Sequence, residues 1–198
     1  MHATLSRTFI TGTLGLLVVA STTNVNAAVV TLSANLGRTS IVPLGLSTGA
    51  GTVLVSYDSL AHSLYVETTF TGLQGVTTAA HIQSGTTPNN LIPPVATQTP
   101  SFLSFPVGVT SGTFSGTYDL TQSSSWNAAY INAHGGTIAS AEAYFAQSLL
   151  NGTAFFNINT SVFETGEVRG YLVVVPAPLA ASAGGLGLVG IALRRRRR

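Results

Sequence analysis

Short stretches in which apolar and polar residues alternate recur along most of the chain, and a period of two is typical of strands with one buried face. The clearest stretch is Ser63 to Phe70, where every second residue from Leu64 onward is suited to a core and those between them, such as Glu67, to solvent. Turn-forming residues separate the stretches. The pattern predicts seven strands: Val29–Asn35, Gly51–Tyr57, Ser63–Phe70, Thr78–Gln83, Gly112–Leu120, Thr153–Asn159 and Glu167–Val174.

The spacing of apolar residues changes between the fifth and sixth predicted strands. Ser125 is the predicted N-cap of a short helix, Trp126 to Ala133, which ends at His134 and two glycines. A second helix is predicted over Thr137 to Leu150, because its apolar residues recur at helical spacing. We expect the aromatic residues of both helices to lie in the core and not to form a carbohydrate platform: Trp126, Tyr130 and Phe145.

The segment from Thr86 to Gly108 holds five of the eight prolines and predicts an extended surface loop. The stretch that follows the first strand, through Pro43, is expected to be irregular. The second and third strands predict a hairpin, connected from Asp58 to His62. Seven strands with turns at short spacing favour one mainly β domain, an antiparallel sandwich with a short helical insert.

The first 27 residues have the layout of a secretory signal peptide. Arg7 supplies a positive charge, Phe9 to Ala20 is largely apolar, and Val25 to Ala27 is a small-x-small cleavage site. We therefore predict cleavage between Ala27 and Ala28, and a folded domain over residues 28–175.

The last residues of the chain, 176–198, combine a proline motif, an apolar run and a basic end. A helix that starts at Pro176 and ends at Leu193 has 18 residues, or about 27 Å, close to the roughly 30 Å of a bilayer core. The arginines are expected to stay on the cytoplasmic side. The residues that define this tail are Val175, Pro176, Ala177, Pro178, Arg194, Arg195, Arg196, Arg197 and Arg198.

This tail resembles the PEP-CTERM sorting signals of Gram-negative bacteria, with Ala177 where the family motif has Glu. The resemblance implies export, a transmembrane helix anchored in the inner membrane, and processing by an exosortase, a membrane protease-transpeptidase. A buried core helix with a solvated basic end is the alternative interpretation of the same residues.

Charge is distributed unevenly between the domain and the targeting segments. Arg38 and Arg169 are the only arginines between Ala28 and Val175, and all six acidic residues of the chain lie in the same range. The domain therefore carries a net charge of about −4. Because the chain has no lysine and the domain has no basic cluster, we exclude nucleic acid as a partner. The chain also has no cysteine, which excludes disulfides and cysteine nucleophiles.

Three segments carry a second resemblance: Thr78 to Gln83, Gly152 to Thr160 and Gly166 to Leu172. In this order, with helices between the first two, they resemble the CHRD domain, which is named from chordin and occurs in many secreted bacterial proteins. The resemblance covers most of Val29 to Val173. It implies an immunoglobulin-like β-sandwich, with a distant likeness to copper/zinc superoxide dismutases.

Many members of that family have further histidines at the positions of Gln83 and Asn159. Amides are poor ligands for copper or zinc, and one histidine is too few for a stable site. We therefore predict no metal and no cofactor. We expect His81, Gln83, Asn157 and Asn159 to form a hydrogen-bonded polar patch across adjacent strands. A core histidine whose ring is satisfied by a backbone carbonyl is the alternative.

Glu167 and Arg169 are two residues apart in one predicted strand, so they are expected to share a face and form a structural ion pair. No histidine has a recognisable catalytic partner in the sequence. The sequence indicates a non-enzymatic, exported component of the cell surface or extracellular matrix, where exopolysaccharide or surface proteins would be its partners. The alternatives are a dismutase-like metal-binding protein or enzyme, and a surface protein that stays anchored in the membrane.

Overall fold

A computed structural model describes residues 29–38, 47–85 and 93–176 of the 198-residue chain. Several predictions lie outside these residues. They are the signal peptide with its cleavage point at Ala27 and Ala28, residues 39 to 43 of the predicted irregular stretch, Ala177 and Pro178 of the sorting motif, the transmembrane helix and the five terminal arginines. Residues 36–38, predicted to be irregular, instead continue the first strand. Among the described residues, no helix is both long enough and apolar enough to cross a bilayer.

The fold is mainly β, and all its strand pairs are antiparallel. Each predicted strand is found, although its bounds shift by a few residues and the last one is divided. The strands are β1 Val29–Arg38, β2 Ala50–Asp58, β3 Ser63–Thr71, β4 Thr77–Ser84, β5 Gly112–Asp119, β6 Ala154–Thr160, β7 Val168–Tyr171 and β8 Val173–Val174.

The strands form a single curled sheet in the order β4-β6-β7-β1-β2-β3-β5, and β8 also pairs with β1. The long strand β1 connects the two parts of this sheet. Its residues from Val29 to Leu36 pair with β2, whereas Gly37 and Arg38 pair with β7. Because one strand belongs to both parts, the sheet curls around a shared core in a sandwich-like arrangement.

Alternation places the core on the inner face of each strand. In β3 the buried residues are Leu64, Val66, Thr68 and Phe70, which confirms the face predicted from the sequence. The hairpin of β2 and β3 is also confirmed, with Val55 directly opposite Val66. Residues of β4 and β6, such as Ile82 and Phe156, complete the core from the other part of the sheet.

The last predicted strand is divided into β7 and β8, with Leu172 between them. The two pieces pair with different neighbours: β7 pairs with β6 and with the end of β1, while β8 pairs with the middle of β1. Both pieces keep one register with β1, because Arg169 lies opposite Gly37 and Val173 lies opposite Ser33, so the break at Leu172 is a local interruption. Leu172 itself is fully buried.

The prediction that the proline-rich segment is a surface loop is wrong for the described part of that segment. Residues 95–102 run along the free edge of β4, where Ala96 and Phe102 donate backbone N–H bonds to carbonyls of that strand. Phe102 and Phe105 are 2% and 6% exposed. The Phe102 ring stacks on Phe156 at 6.1 Å and on Phe114 at 6.0 Å. The segment therefore covers an edge strand and fills the space between the two parts of the sheet.

The helical insert contains α1, Ala128–Ala133, and α2, Ile138–Leu150. Ser125 is not the cap of α1, as its hydroxyl donates to the carbonyl of Asp119 (2.6 Å) from a single 3-10 turn. Asn127 caps α1 instead, because its side chain accepts the N–H of Ala129 (3.0 Å). α2 begins with a reciprocal cap between Thr137 and Ser140.

The aromatic residues of the insert lie in the core, as predicted. Trp126, Tyr130 and Phe145 are at most 4% exposed. The Trp126 ring stacks on Tyr130 at 6.1 Å and meets Phe145 edge-on at 5.5 Å. The indole N–H of Trp126 donates to the carbonyl of Leu120 (2.8 Å), which satisfies its one polar group.

Candidate functional site

The four residues of the predicted polar patch lie on β4 and β6. In the register of these strands, His81 is opposite Asn157, and Ala79 is opposite Asn159. Gln83 is opposite Phe155. Since alternate residues share a face, the four side chains project from the same side of the sheet, opposite to the core face of Ile82 and Phe156.

His81 is 5% exposed, and its ring is held by the backbone. Nε2 lies 2.7 Å from the carbonyl oxygen of Pro100. A carbonyl accepts only, so Nε2 carries the proton and Nδ1 is the unprotonated nitrogen. Within the described part of the chain, Nδ1 has no hydrogen-bond partner. Burial lowers the pKa of His81, and the Pro100 carbonyl opposes that effect in part.

Asn157 is 1% exposed and makes the only link between side chains of the patch that the described residues show. Its amide donates to the side-chain oxygen of Asn159 (2.5 Å) and to the carbonyl of Thr165 (3.3 Å). A network through all four residues stays a prediction. The Pro100 carbonyl on His81 agrees with the alternative interpretation, a core histidine satisfied by the backbone.

Metal-ligand chemistry has little support at this patch. Over residues 29–38, 47–85 and 93–176, no group of three or more His, Asp or Glu side chains comes together in a way that could hold a metal ion. The other side chains of the patch are amides, and the Pro100 carbonyl is the group that contacts the His81 ring. Amides and carbonyls do not suit copper or zinc.

Glu167 is the most completely enclosed charged side chain among the described residues, with 0% exposure. The hydroxyl of Ser47 (2.5 Å), the N–H groups of Gln74 (2.6 Å) and Gly75 (3.1 Å), and the hydroxyl of Thr160 (2.9 Å) donate to its carboxylate. Burial alone would raise the pKa of Glu167, but the four hydrogen bonds outweigh it and hold the pKa below its usual value. Glu167 thus joins three separate segments of chain.

Arg169 has a different environment from Glu167. Its guanidinium lies over the ring of Phe155, 4.9 Å from the centroid. None of the four hydrogen bonds that the structure shows for the Glu167 carboxylate comes from Arg169. The prediction assumed that both residues lie in one strand, but β7 begins at Val168, so strict alternation does not reach Glu167. An ion pair between Glu167 and Arg169 stays a prediction.

A second buried carboxylate joins the helical insert to the sheet. Glu142 of α2 is 6% exposed and lies 2.8 Å from Nδ1 of His62, in the turn between β2 and β3. The hydroxyl of Tyr57 donates to the same carboxylate (3.1 Å). Sequence reasoning missed this cluster, because 80 residues separate His62 from Glu142 and no local pattern links them.

The outer face of β1, β2 and β3 holds a groove of about 560 Å³. Strand register places Asn35, Thr52 and Thr69 in one row across its floor. The next row is Ser33, Leu54 and Glu67. Tyr171 and Val173 border the groove on the side of β8. This size lies within the range of small-molecule and cofactor sites, roughly 300–1,000 Å³.

Side chains of the groove are held by their neighbours. The hydroxyls of Thr52 and Thr69 form a cross-strand hydrogen bond of 3.1 Å. The phenol of Tyr65 donates to the Glu67 carboxylate (3.0 Å), which restrains it on the exposed face. The ring of Tyr171 packs edge-on against Phe155 at 5.3 Å. The groove therefore presents a largely fixed set of hydroxyl, amide, carboxylate and apolar groups.

Comparison with known families gives one result. The model of the CHRD domain matches residues 32–172, which is more than half of the chain. The chain belongs to the CHRD domain family. The match begins inside β1 and ends between β7 and β8, so it contains nearly all of the described CHRD domain. No curated protein and no solved structure gives a significant match to the chain.

The groove of this CHRD domain was not predicted from the sequence, although the sequence did indicate some of the outward-facing residues that line it. Alternation in β3 placed Glu67 and Thr69 on an outward face. What the sequence does not show is that Asn35 and Tyr171, far apart in the chain, border the same surface. The curl of the sheet at β1 brings them together, and long-range pairing of this kind leaves no local pattern.

Proposed function

We propose that this CHRD-domain protein is an exported, non-enzymatic component of the cell surface or extracellular matrix of a Gram-negative bacterium. The observation that carries the proposal is where the domain ends. β1 begins at Val29, directly after the predicted cleavage point. At the other end, Val175 donates its N–H to the carbonyl of Thr31 (2.8 Å). The predicted signal peptide and sorting tail thus fall on either side of one folded unit.

An exosortase-like membrane protease is the proposed partner during sorting. The proline motif begins at Val175 and Pro176, the last two described residues, and Val175 is 41% exposed. A protease at the membrane would therefore reach this segment without unfolding the domain. Before processing, the apolar run that follows would hold the chain in the inner membrane, with the arginines in the cytoplasm.

Structural use of the reactive side chains supports a non-enzymatic role. Glu167, Glu142 and His81 are buried, and each is engaged by backbone or side-chain groups of the fold. We include in this proposal the immunoglobulin-like fold that the family resemblance implies. The sandwich-like sheet is in keeping with it. Extracellular polysaccharide or other surface proteins are the proposed partners once the domain has left the membrane.

Fractionation of cells that produce the chain tests this function. We expect the wild-type protein outside the cytoplasm and the Leu16→Arg/Leu17→Arg variant inside it, because two charges prevent the apolar run from entering the membrane. The matched control is Leu60→Arg/Leu103→Arg, at two positions that are each 74% exposed in the folded domain. The control should be exported normally. Wild-type protein dissolved in the cytosol would contradict the proposal.

The same material separates the two alternatives. If the protein stays anchored in the membrane, its intact mass will include residues 179–198, and the exosortase step is wrong. If it is a dismutase-like metal protein, stoichiometric copper or zinc will be found in the wild type and lost in His81→Ala. The proposal predicts neither result.

A further inference from the structure

The side chains that line the groove on the outer face of β1, β2 and β3 are not explained by the packing of the fold. Core packing explains the inner face of these strands, but outward residues need only be soluble. Here they combine an amide, a carboxylate and neighbouring hydroxyls with exposed apolar groups, around a concave volume of about 560 Å³. Concave sites with a few fixed polar groups are where small ligands bind.

We propose that this groove binds a segment of a neutral polysaccharide, which names a ligand for the surface role proposed above and rests on it. A sugar hydroxyl both donates and accepts hydrogen bonds, as do the hydroxyls of Thr52 and Thr69. Asn35 adds an amide that does the same, and Glu67 adds a strong acceptor. Neighbouring strands are roughly 4.8 Å apart, so these groups form a closely spaced grid across the floor.

Apolar contacts complete the match to a sugar ring, which has C–H groups on its faces as well as hydroxyls at its rim. Leu54 is 37% exposed and Val173 is 61% exposed, both at the groove. Tyr171 is half-buried, and Phe155 fixes its ring from behind. Tyrosine is well suited to this position because it offers an apolar ring and a polar hydroxyl.

Charge selects neutral polymers over acidic ones. The outer faces of β2, β3 and β5 carry Asp58, Glu67 and Asp119, and these three strands contain no lysine or arginine. Phosphate-bearing or uronic-acid polymers would meet these like charges on the three strands, while the cation of β7, Arg169, lies over the ring of Phe155. A protein partner is disfavoured because the groove offers two exposed apolar side chains and no large apolar patch.

The hydrogen bonds within the groove lower the cost of binding. Thr52 and Thr69 are already joined, and Glu67 is restrained by Tyr65. Side chains held in place before the ligand arrives lose less freedom on binding. A repeating polymer would add avidity through several copies of the protein, so a weak single site is enough for a surface component.

Affinity electrophoresis of the full chain in a mild detergent tests the proposal. The gels contain a neutral polysaccharide (dextran, laminarin, xylan or galactomannan) or acidic alginate. We expect at least one neutral polymer to retard the protein and alginate to have no effect. Asn35→Ala and Glu67→Gln should weaken the retardation at least ten-fold. Both positions are exposed, and circular dichroism verifies that the variants fold.

Thr117→Ala is the matched control, because Thr117 faces outward from β5 but lies outside the groove. It should bind like the wild type. Three results would overturn the proposal: no retardation by any neutral polymer, retardation by alginate alone, or binding that is unchanged in Asn35→Ala and Glu67→Gln. Localisation is measured separately. Glycan binding by a chain that stays in the cytosol would leave the groove in place and refute the surface role.

Discussion

The carboxylate of Glu142 in α2 lies 2.8 Å from Nδ1 of His62, which joins the helical insert to the turn between β2 and β3. His62 adopts a positive φ of 49°, a conformation that few residues other than glycine take, and its backbone carbonyl accepts the N–H of Leu120 (2.7 Å). The ring of His62 thus contacts α2, while its backbone carbonyl binds the residue that follows β5. The cluster fixes the position of α2 on the sheet.

Replacing Glu142 with alanine should lower the free energy of unfolding by about 2–3 kcal/mol, because the buried Tyr57 hydroxyl loses its acceptor. His62→Ala should cost less, about 1 kcal/mol, since the imidazole is half exposed and solvent screens the pair. Urea denaturation measures both. Gln147→Ala, on the exposed face of the same helix, is the control and should change stability by less than about 0.5 kcal/mol. Equal effects at positions 142 and 147 would contradict this account.

Glu167 makes the stability of the domain sensitive to acid. Its pKa is lower in the folded state than in the unfolded chain, so its contribution is complete above the unfolded value of 4.5 and is lost as the pH falls through the folded value. Glu167→Gln should cost about 2–3 kcal/mol at neutral pH. It should also flatten the fall in melting temperature below pH 4.5. Glu164→Gln, at an exposed position, is the control. If the melting temperature of Glu167→Gln falls below pH 4.5 as steeply as that of the wild type, other groups cause the acid sensitivity.

His81 should also make the domain less stable as the pH falls, but in a higher pH range than Glu167. Its folded pKa lies below 6.5, so the unfolded chain binds more protons, and stability decreases as the pH falls from 6.5 toward the folded value. NMR titration of the imidazole signals measures this directly. We expect the His81 ring to titrate below 6.5 and its signal to disappear in His81→Gln. A midpoint at or above 6.5 would mean that the ring is solvated and not buried beneath Pro100.

Phe102 and Leu103 are a matched pair for the segment that covers β4. Phe102 is 2% exposed and Leu103 is 74% exposed. Phe102→Ala should lower the free energy of unfolding by about 3–4 kcal/mol, because it leaves a cavity between Phe114 and Phe156. Leu103→Ala should stay within about 0.5 kcal/mol of the wild type. Similar values for the two variants, measured by urea denaturation, would place Phe102 outside the core.

Local patterns predicted the elements whose structure depends on local forces. The alternation in Ser63 to Phe70 and the turn at Asp58 were sufficient for the hairpin, and helical spacing with Thr137 at its start was sufficient for α2. Prolines misled the prediction between residues 93 and 108. They exclude regular structure, as expected, but they do not prevent Phe102 and Phe105 from packing between the two parts of the sheet.

Relationships between distant segments could not be predicted. The sequence linked Glu167 only to its near neighbour Arg169. It gave no sign of the hydrogen bonds that the Glu167 carboxylate accepts from Ser47, Gln74, Gly75 and Thr160. These residues meet only after β6, β7 and the turn before β4 have assembled. The groove has the same origin, since β1 must pair with both β2 and β7 before its walls exist.

The central claim is that the residues before Ala28 and after Pro176 direct the chain to the cell surface and that the domain between them is what remains there. Mass spectrometry of the termini of the mature protein tests it most directly. The account predicts an N-terminus at Ala28 and a C-terminus near Pro176, without the apolar run or the arginines. An intact chain from Met1 to Arg198, recovered from the cytosol, would contradict it.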